Sequence, residues 1–210
     1  MSDSRRIVRE GYDAIAAEYE RWAASFRSPV LATLERLLAL LEPGSHVLDL
    51  GCGNGIPVAR ALLDRGHRVT GVDLSGGQLE RARLNVPEAE LVHADALEAE
   101  LPPESFDGAV SAFVLGHVPR DEQLPLLRRL HGWLRPGAPA LLSFARSDEE
   151  AFVDDDWLGA PMFFSSYPPE QSRRLLAEAG FELLWDREVP QHEPGHGDVS
   201  FLWALSRRLP

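Results

Sequence analysis

Three glycines at alternate positions, Gly51, Gly53 and Gly55, stand directly behind the apolar run Val47 to Leu50 in the stretch VLDLGCGNG. Glycine lets a backbone turn sharply and approach a ligand with no side chain in between, so this spacing fits a strand that ends against a nucleotide. Asp73 closes a second apolar run, RVTGVD, where a carboxylate can accept both hydroxyls of a ribose. The dinucleotide fingerprint asks for a further glycine at the sixth position from the first, and Ile56 stands there, so the match to an NAD site is incomplete.

Proton transfer near neutrality suits imidazole, and three histidines are candidate bases: His117, His192 and His196. The last two belong to HEPGH, whose proline and glycine preclude the regular one-face helix of a zinc motif, so no metal is expected. All 21 basic residues are arginine, which removes lysine chemistry such as a Schiff base or a phosphate-loop lysine. The segment WLGAPMFFSSY gathers Trp157, Met162, Phe163, Phe164 and Tyr167. Such a surface either lines a pocket for a planar or apolar ligand or pads a helix against a sheet.

The elements that must position these groups follow from periodicity. Residues 4–24 bring Ile7, Tyr12, Ile15, Ala16, Tyr19 and Trp22 round at helical spacing, and 29–41 do the same with five leucines behind Pro29. From His46 the pattern becomes strand, glycine, helix, strand: HVLDLG, IPVARALLDRG, HRVTGVD, SGGQLERARL, ELVHAD. The strands are continuous apolar runs, as in a parallel sheet covered on both faces. A fourth strand from Asp107, a helix over 121–134 and a fifth strand, PALLSFA, continue the alternation. Residues 146–168 read as an acidic and then aromatic insertion. A helix and two strand-like runs, FELLWDREV and VSFLWALSRR, end the pattern as an antiparallel hairpin joined by the loop PQHEPGHGD.

At 210 residues and 44% hydrophobic, the chain supports one substantial core, and a single domain over 1–210 is expected. The segment MSDSRRIVREGYD lacks the apolar stretch of a secretory signal and no run approaches the roughly 20 residues of a membrane span, so a cytoplasmic protein is expected. One cysteine, Cys52, forms neither an internal disulfide nor a thiolate cluster and reads first as a small buried filler. The net charge of −12 opposes binding to nucleic acid or an anionic membrane and favours a small-molecule partner.

VLDLGCGNG, GVDLS, HADALE, SFDGAVSAFVLGHV, LLRRLHGWLRPGA and LLAEAGFELL, in that order, resemble the successive motifs of class I S-adenosylmethionine-dependent methyltransferases. The resemblance covers nearly the whole chain. It implies a Rossmann-like α/β fold: a seven-stranded, mostly parallel sheet with an antiparallel terminal strand and helices on both faces. An N-terminal helical cap would occupy 1–42, the cofactor-binding core 45–145, and an acceptor-covering segment with the terminal hairpin 146–210. It implies S-adenosyl-L-methionine as cofactor, with S-adenosyl-L-homocysteine as product.

Carried over residue by residue, Asp49, Gly51, Gly53 and Gly55 resemble the loop that holds the methionine part of the cofactor, with Cys52 in the same loop and Gln78 in the following motif. Asp73 resembles the ribose ligand, Leu74 the adenine neighbour, and Asp95 with Ala96 the adenine edge. Phe113 and His117 would lie near the sulfonium, and Tyr12 and Tyr19 on the helix that closes over it. By their residue types, Asp49 also serves as a turn residue, Asp95 as a helix cap, and Tyr12 and Tyr19 as core anchors. His117 and His196 are the candidate catalytic bases. The segment from Trp157 to Tyr167 resembles the acceptor cover.

FVLGHVP after the fourth strand departs from the Asn/Asp-Pro-Pro-Tyr/Phe tetrapeptide of nucleobase methylating enzymes. The leading expectation is O- or N-methylation of a metabolite by a monomer or homodimer. Carbon methylation, a methyltransferase fold that binds the cofactor without methylating, and a nicotinamide oxidoreductase are the other readings.

Overall fold

The computed structural model describes residues 2–210. Helix α1 (Asp3–Ala23) starts at Ser2, whose side chain accepts from the Arg5 amide, with Asp3 placed favourably at the positive end of the helix dipole. α2 (Arg27–Leu38) follows after one 3-10 turn. The alternating portion contains β1 (His46–Leu50), α3 (Val58–Asp64), β2 (Arg68–Asp73), α4 (Gly76–Asn85), β3 (Glu90–His93), β4 (Gly108–Ser111), α5 (Arg120–Trp133) and β5 (Pro139–Phe144). β6 (Glu149–Trp157), β7 (Ala160–Ser166), α6 (Pro169–Glu178), β8 (Phe181–Glu193) and β9 (Gly197–Arg208) complete the fold.

Seven strands form one sheet in the order β3-β2-β1-β4-β5-β9-β8. β1 pairs in parallel with both β2 and β4, whereas β9 is antiparallel to β5 and β8. This is the seven-stranded sheet the motifs imply. Its centre is dry: β4 and β5 are buried along their whole length, which is why their sequences show no alternation. Leu126, Leu130, Trp133 and Leu175 from α5 and α6 fill one face. Leu34, Leu37, Leu62 and Leu79 from α2, α3 and α4 fill the other. The chain order reverses between β1 and β4, so the crevice beyond their carboxyl ends is the place for a ligand.

Two segments differ from the sequence reading. Residues 149–166 form a two-stranded antiparallel sheet of their own, β6 with β7. β6 carries mostly acidic, exposed residues and gives no strand periodicity. It is held by β7, which packs on α1. The terminal hairpin is also longer than expected, since Pro190–Glu193 pair with Gly197–Ser200 and only residues 194–196 turn.

α1 lies across the carboxyl edge of the sheet. Val8, Ile15 and Trp22, one heptad apart, face the same cluster as Phe26, Trp157, Met162 and Phe163. A Cβ on Gly11 would stand 2.6 Å from the Pro161 carbonyl oxygen, so glycine permits the close approach of helix and hairpin. Polar contacts secure the other side. Arg5 reaches Asp95 and Glu98, each at 2.9 Å, and Asp13 accepts from the Ser75 hydroxyl at 2.6 Å and the Gly77 amide at 2.9 Å. Arg81 pairs with Glu20.

Candidate active site

The loop after β1 folds back on β2: the Gly51 and Cys52 amides both donate to the Val72 carbonyl, at 2.7 and 3.0 Å. Gly51, Gly53 and Gly55 have φ of 75°, 53° and 81°, a region that favours glycine. The three are not equivalent. A Cβ on Gly51 would collide with Val114, and one on Gly55 would come within 2.5 Å of Val86, so both serve packing. Only at Gly53 is the space open, with Gln78 Oε1 the nearest atom at 3.8 Å. Gly55 therefore shapes the loop from behind instead of facing a ligand.

A cavity opens above this loop. Its wall contains Tyr12, Tyr19, Gly51, Gly53, Asp73, Leu74, Gln78, Asp95, Ala96, Phe113 and His117, most of the expected cofactor set from elements far apart in sequence. A small side chamber, bordered by Asp49 and Cys52, shares Tyr19, Gly51, Gly53 and Phe113 with it. Asp73 holds the loop closed, accepting from the Gly53 amide at 2.7 Å and the Ser75 amide at 2.9 Å. Asp95 accepts from Leu97 at 2.9 Å and pairs with Arg5, so it caps a turn and anchors α1 as well as bordering the cavity. Cys52 is buried against Gly71, and burial pushes its thiol up.

Burial sets the electrostatics of this wall. Asp49 is 2% exposed, and burial, then Asp73, push its carboxyl up to about 7. Burial also raises Asp73, against the pull of its two amide bonds. Asp49 Oδ2 and both polar atoms of the Gln78 amide are buried without a partner. Buried carboxyl groups beside the unpartnered Gln78 amide suit a ligand that brings positive charge and hydrogen-bonding groups, such as a sulfonium with an ammonium, and Arg5 and Arg9 border the same cavity. The residues present therefore fit S-adenosylmethionine.

A second cavity of about 470 Å³ adjoins the first, sharing Tyr12, Tyr19, Phe113 and His117. Phe113, at the end of β4, has φ 62° and donates its amide to Ser143 Oγ at 2.6 Å, a backbone state whose cost is on the order of 1–3 kcal/mol. Its ring borders both cavities and the side chamber.

His117 ends a single 3-10 turn at Leu115–His117. Its Nδ1 lies 2.8 Å from the Phe163 carbonyl, which only accepts, so Nδ1 carries the proton and Nε2 accepts from the Tyr12 hydroxyl at 2.9 Å. Burial lowers this imidazole to about 4 and raises the Tyr12 phenol well above its ordinary value. At neutral pH the pair is therefore uncharged, and His117 spends its lone pair orienting Tyr12.

The remaining expectations divide. Trp157 and Phe164 border the second cavity; Met162 is fully buried beneath α1, Phe163 is buried beside it, and Tyr167 stacks on Arg120 at 4.5 Å, so these three side chains do not line it. His196 borders the cavity, while His192 is exposed and lies 2.8 Å from Asp198. Glu193, Trp22 and Arg5 were not singled out from sequence. Arg5 and Trp22 act through partners roughly 90 to 170 residues away, such as Trp22 Nε1 on the Pro194 carbonyl at 3.0 Å, while Glu193 gains its role by burial at the cavity, and short-range patterns carry neither signal. Among the described residues no group of three or more His, Cys, Asp or Glu is arranged to hold a metal ion.

Several known proteins are similar to this chain. Residues 47–137 match the family described as a methyltransferase domain. A demethylmenaquinone methyltransferase of Listeria welshimeri is 33% identical over 199 residues, covering 90% of this chain and 81% of that protein. An O-methyltransferase of Pyrenophora dematioidea is 30% identical over 173 residues, 76% of this chain but only 63% of that protein. The solved DhpI–SAH complex superposes with a TM-score of 0.78 across 100% of both chains at 24% identity.

A doubly wound sheet with a glycine loop and a cavity at its switch point defines a Rossmann-like fold. The chain belongs to the class I S-adenosylmethionine-dependent methyltransferases, enzymes of small-molecule methylation. Among the described residues no helix is long and apolar enough to cross a membrane.

Proposed function

We propose that this enzyme transfers a methyl group from S-adenosylmethionine to an oxygen or nitrogen of a small acceptor held in the 470 Å³ cavity. The observation that carries this reading is the junction of the two cavities at Tyr12, Tyr19, Phe113 and His117. The cavity volume lies within the roughly 300–1,000 Å³ of small-molecule sites. S-adenosylmethionine supplies the methyl group already activated on its sulfonium. The chain's own work is to hold the reactants in line and keep water out. Asp73 and Asp49 offset positive charge at the glycine loop, and the Tyr12–His117 pair keeps the shared wall neutral and rigid.

Carbon methylation of a flat ring is the second reading, favoured by the 33% identity to a demethylmenaquinone methyltransferase. Calorimetry with S-adenosylmethionine, S-adenosylhomocysteine and NAD tests the cofactor assignment, and a screen of phenols, amines and acids with labelled methyl donor tests the acceptor. Asp73→Ala should weaken cofactor binding by roughly 1.5–3 kcal/mol, as for hydrogen bonds to a charged group. Unchanged affinity in that variant, or micromolar NAD binding, would count against the reading.

A further inference from the structure

The second cavity has a charge pattern that its aromatic walls do not explain. Its ionisable lining consists of Glu149, Asp154 and Glu193 together with His117, His196, Tyr12 and Tyr19; no arginine borders it, and the chain has no lysine. Glu149 and Asp154 come from the solvent-facing strand β6, whereas Glu193 is 8% exposed at the end of β8. Glu193 Oε1 accepts from Gln191 Nε2 at 2.7 Å, and among the described residues Glu193 has no arginine partner. Burial raises its carboxyl, against the pull of Gln191 and His196. Ser165 Oγ, buried without a partner, belongs to the same wall.

Aromatic residues line the same cavity as this carboxyl group. Trp157 sits at the centre of the box, with ring centroids 5.5 Å from Trp22, 5.8 Å from Tyr12, 6.0 Å from Tyr19 and 5.6 Å from Phe164. The bond from Trp22 Nε1 to the Pro194 carbonyl ties the turn after Glu193 to α1. A cation placed over ring faces is attracted by their quadrupoles, and a buried carboxylate without a cationic partner gains most from receiving one. An anionic acceptor would meet three carboxyl groups and no compensating cation.

Resting on the methyl-transfer reading above, we propose that the acceptor is a basic amine, bound as its ammonium in the aromatic box with Glu193 as counter-ion and proton acceptor. The N–H proton passes to the Glu193 carboxylate, and the freed nitrogen lone pair forms the new C–N bond. The electron pair of the methyl–sulfur bond goes to sulfur. The methylated nitrogen then carries the positive charge that the sulfonium loses, and the Glu193 proton returns to solvent.

The test uses benzyltrimethylammonium, a permanent cation that cannot accept a methyl group, against 2-phenylethanol and phenylacetate. Binding to the S-adenosylhomocysteine complex is followed by tryptophan fluorescence. The cation should bind at least tenfold more tightly than either probe. Glu193→Gln should remove about tenfold of that affinity, with S-adenosylhomocysteine affinity and melting temperature preserved, and Glu193→Asp should restore part of it. The titratable groups near Glu193 are His196, Tyr12 and Tyr19, and His117, Glu149 and Asp154 line the same cavity. Cation affinity should fall as pH is lowered and Glu193 takes up a proton, and that fall should persist in His196→Gln. Tighter binding of phenylacetate, or a cation affinity indifferent to Glu193→Gln and to Glu193→Asp, overturns the amine assignment while leaving methyl transfer standing. Failure of the wild type to bind S-adenosylhomocysteine overturns both.

Discussion

His117→Gln offers a direct test of the Tyr12–His117 pair. The wild-type imidazole lies at about 4 in the folded protein against an ordinary value of 6.5. Its folded value is depressed, so the neutral ring's contribution to stability is fully present above 6.5 and is lost as pH falls through about 4. At about 1.36 kcal/mol per pH unit the difference amounts to at most roughly 3.4 kcal/mol, an upper figure because the ring keeps some contact with the cavities. The wild-type pH profile alone is a poor readout. Asp49, raised to about 7, acts in the opposite sense: its contribution is present below 3.8 and is lost as pH rises through 7. Subtracting the glutamine variant removes Asp49 and every other shared group. Glutamine can still donate to the Phe163 carbonyl. Urea unfolding followed by tryptophan fluorescence, at half-unit steps from pH 4 to 7, should show the wild type gaining on the variant by about 2–3 kcal/mol as pH rises. A difference constant within about 0.5 kcal/mol would refute the burial of a neutral imidazole, and a difference that shrinks with rising pH would mean an imidazolium is stabilised instead.

Three further outcomes follow from the site. Gly53→Ala should cost about 1–2 kcal/mol for its left-handed backbone and weaken S-adenosylhomocysteine binding, because its Cβ enters the cavity; Gly55→Ala should lower the melting temperature further, because its Cβ meets Val86. Calorimetry and melting curves on both variants check the contrast. Met162→Ala should destabilise by about 2–5 kcal/mol, whereas Phe164→Ala should raise the acceptor KM or lower kcat with cofactor affinity nearly unchanged. Equal loss of stability in the two variants would contradict the division of that segment into core and cavity wall. Methyl transfer should survive exhaustive chelation with EDTA, and activity lost to EDTA but restored by a divalent ion would show a metal requirement.

The parallel core was legible in the sequence because its signals are local. Buried strands require unbroken apolar runs, sharp turns require glycine, and Asp73 must close β2 to reach a ligand beyond the strand ends. The motifs from VLDLGCGNG to LLAEAGFELL recorded those requirements in order. What the chain could not reveal locally was which side chains meet. β6 carries acidic residues on an exposed strand, so its pairing depends on β7 docking against α1 at Gly11. Met162 and Phe164 differ by two residues and look alike as sequence, yet one is sealed under α1 and the other borders a cavity. Asp49 and Glu193 are ordinary acids until tertiary burial removes water and withholds a cation from each. The proton position on His117 likewise depends on a carbonyl 46 residues away and a phenol 105 residues away. Periodicity and spacing thus determined the scaffold and the cofactor loop, while the charge state of the site was decided only where distant elements closed over it and changed its solvation.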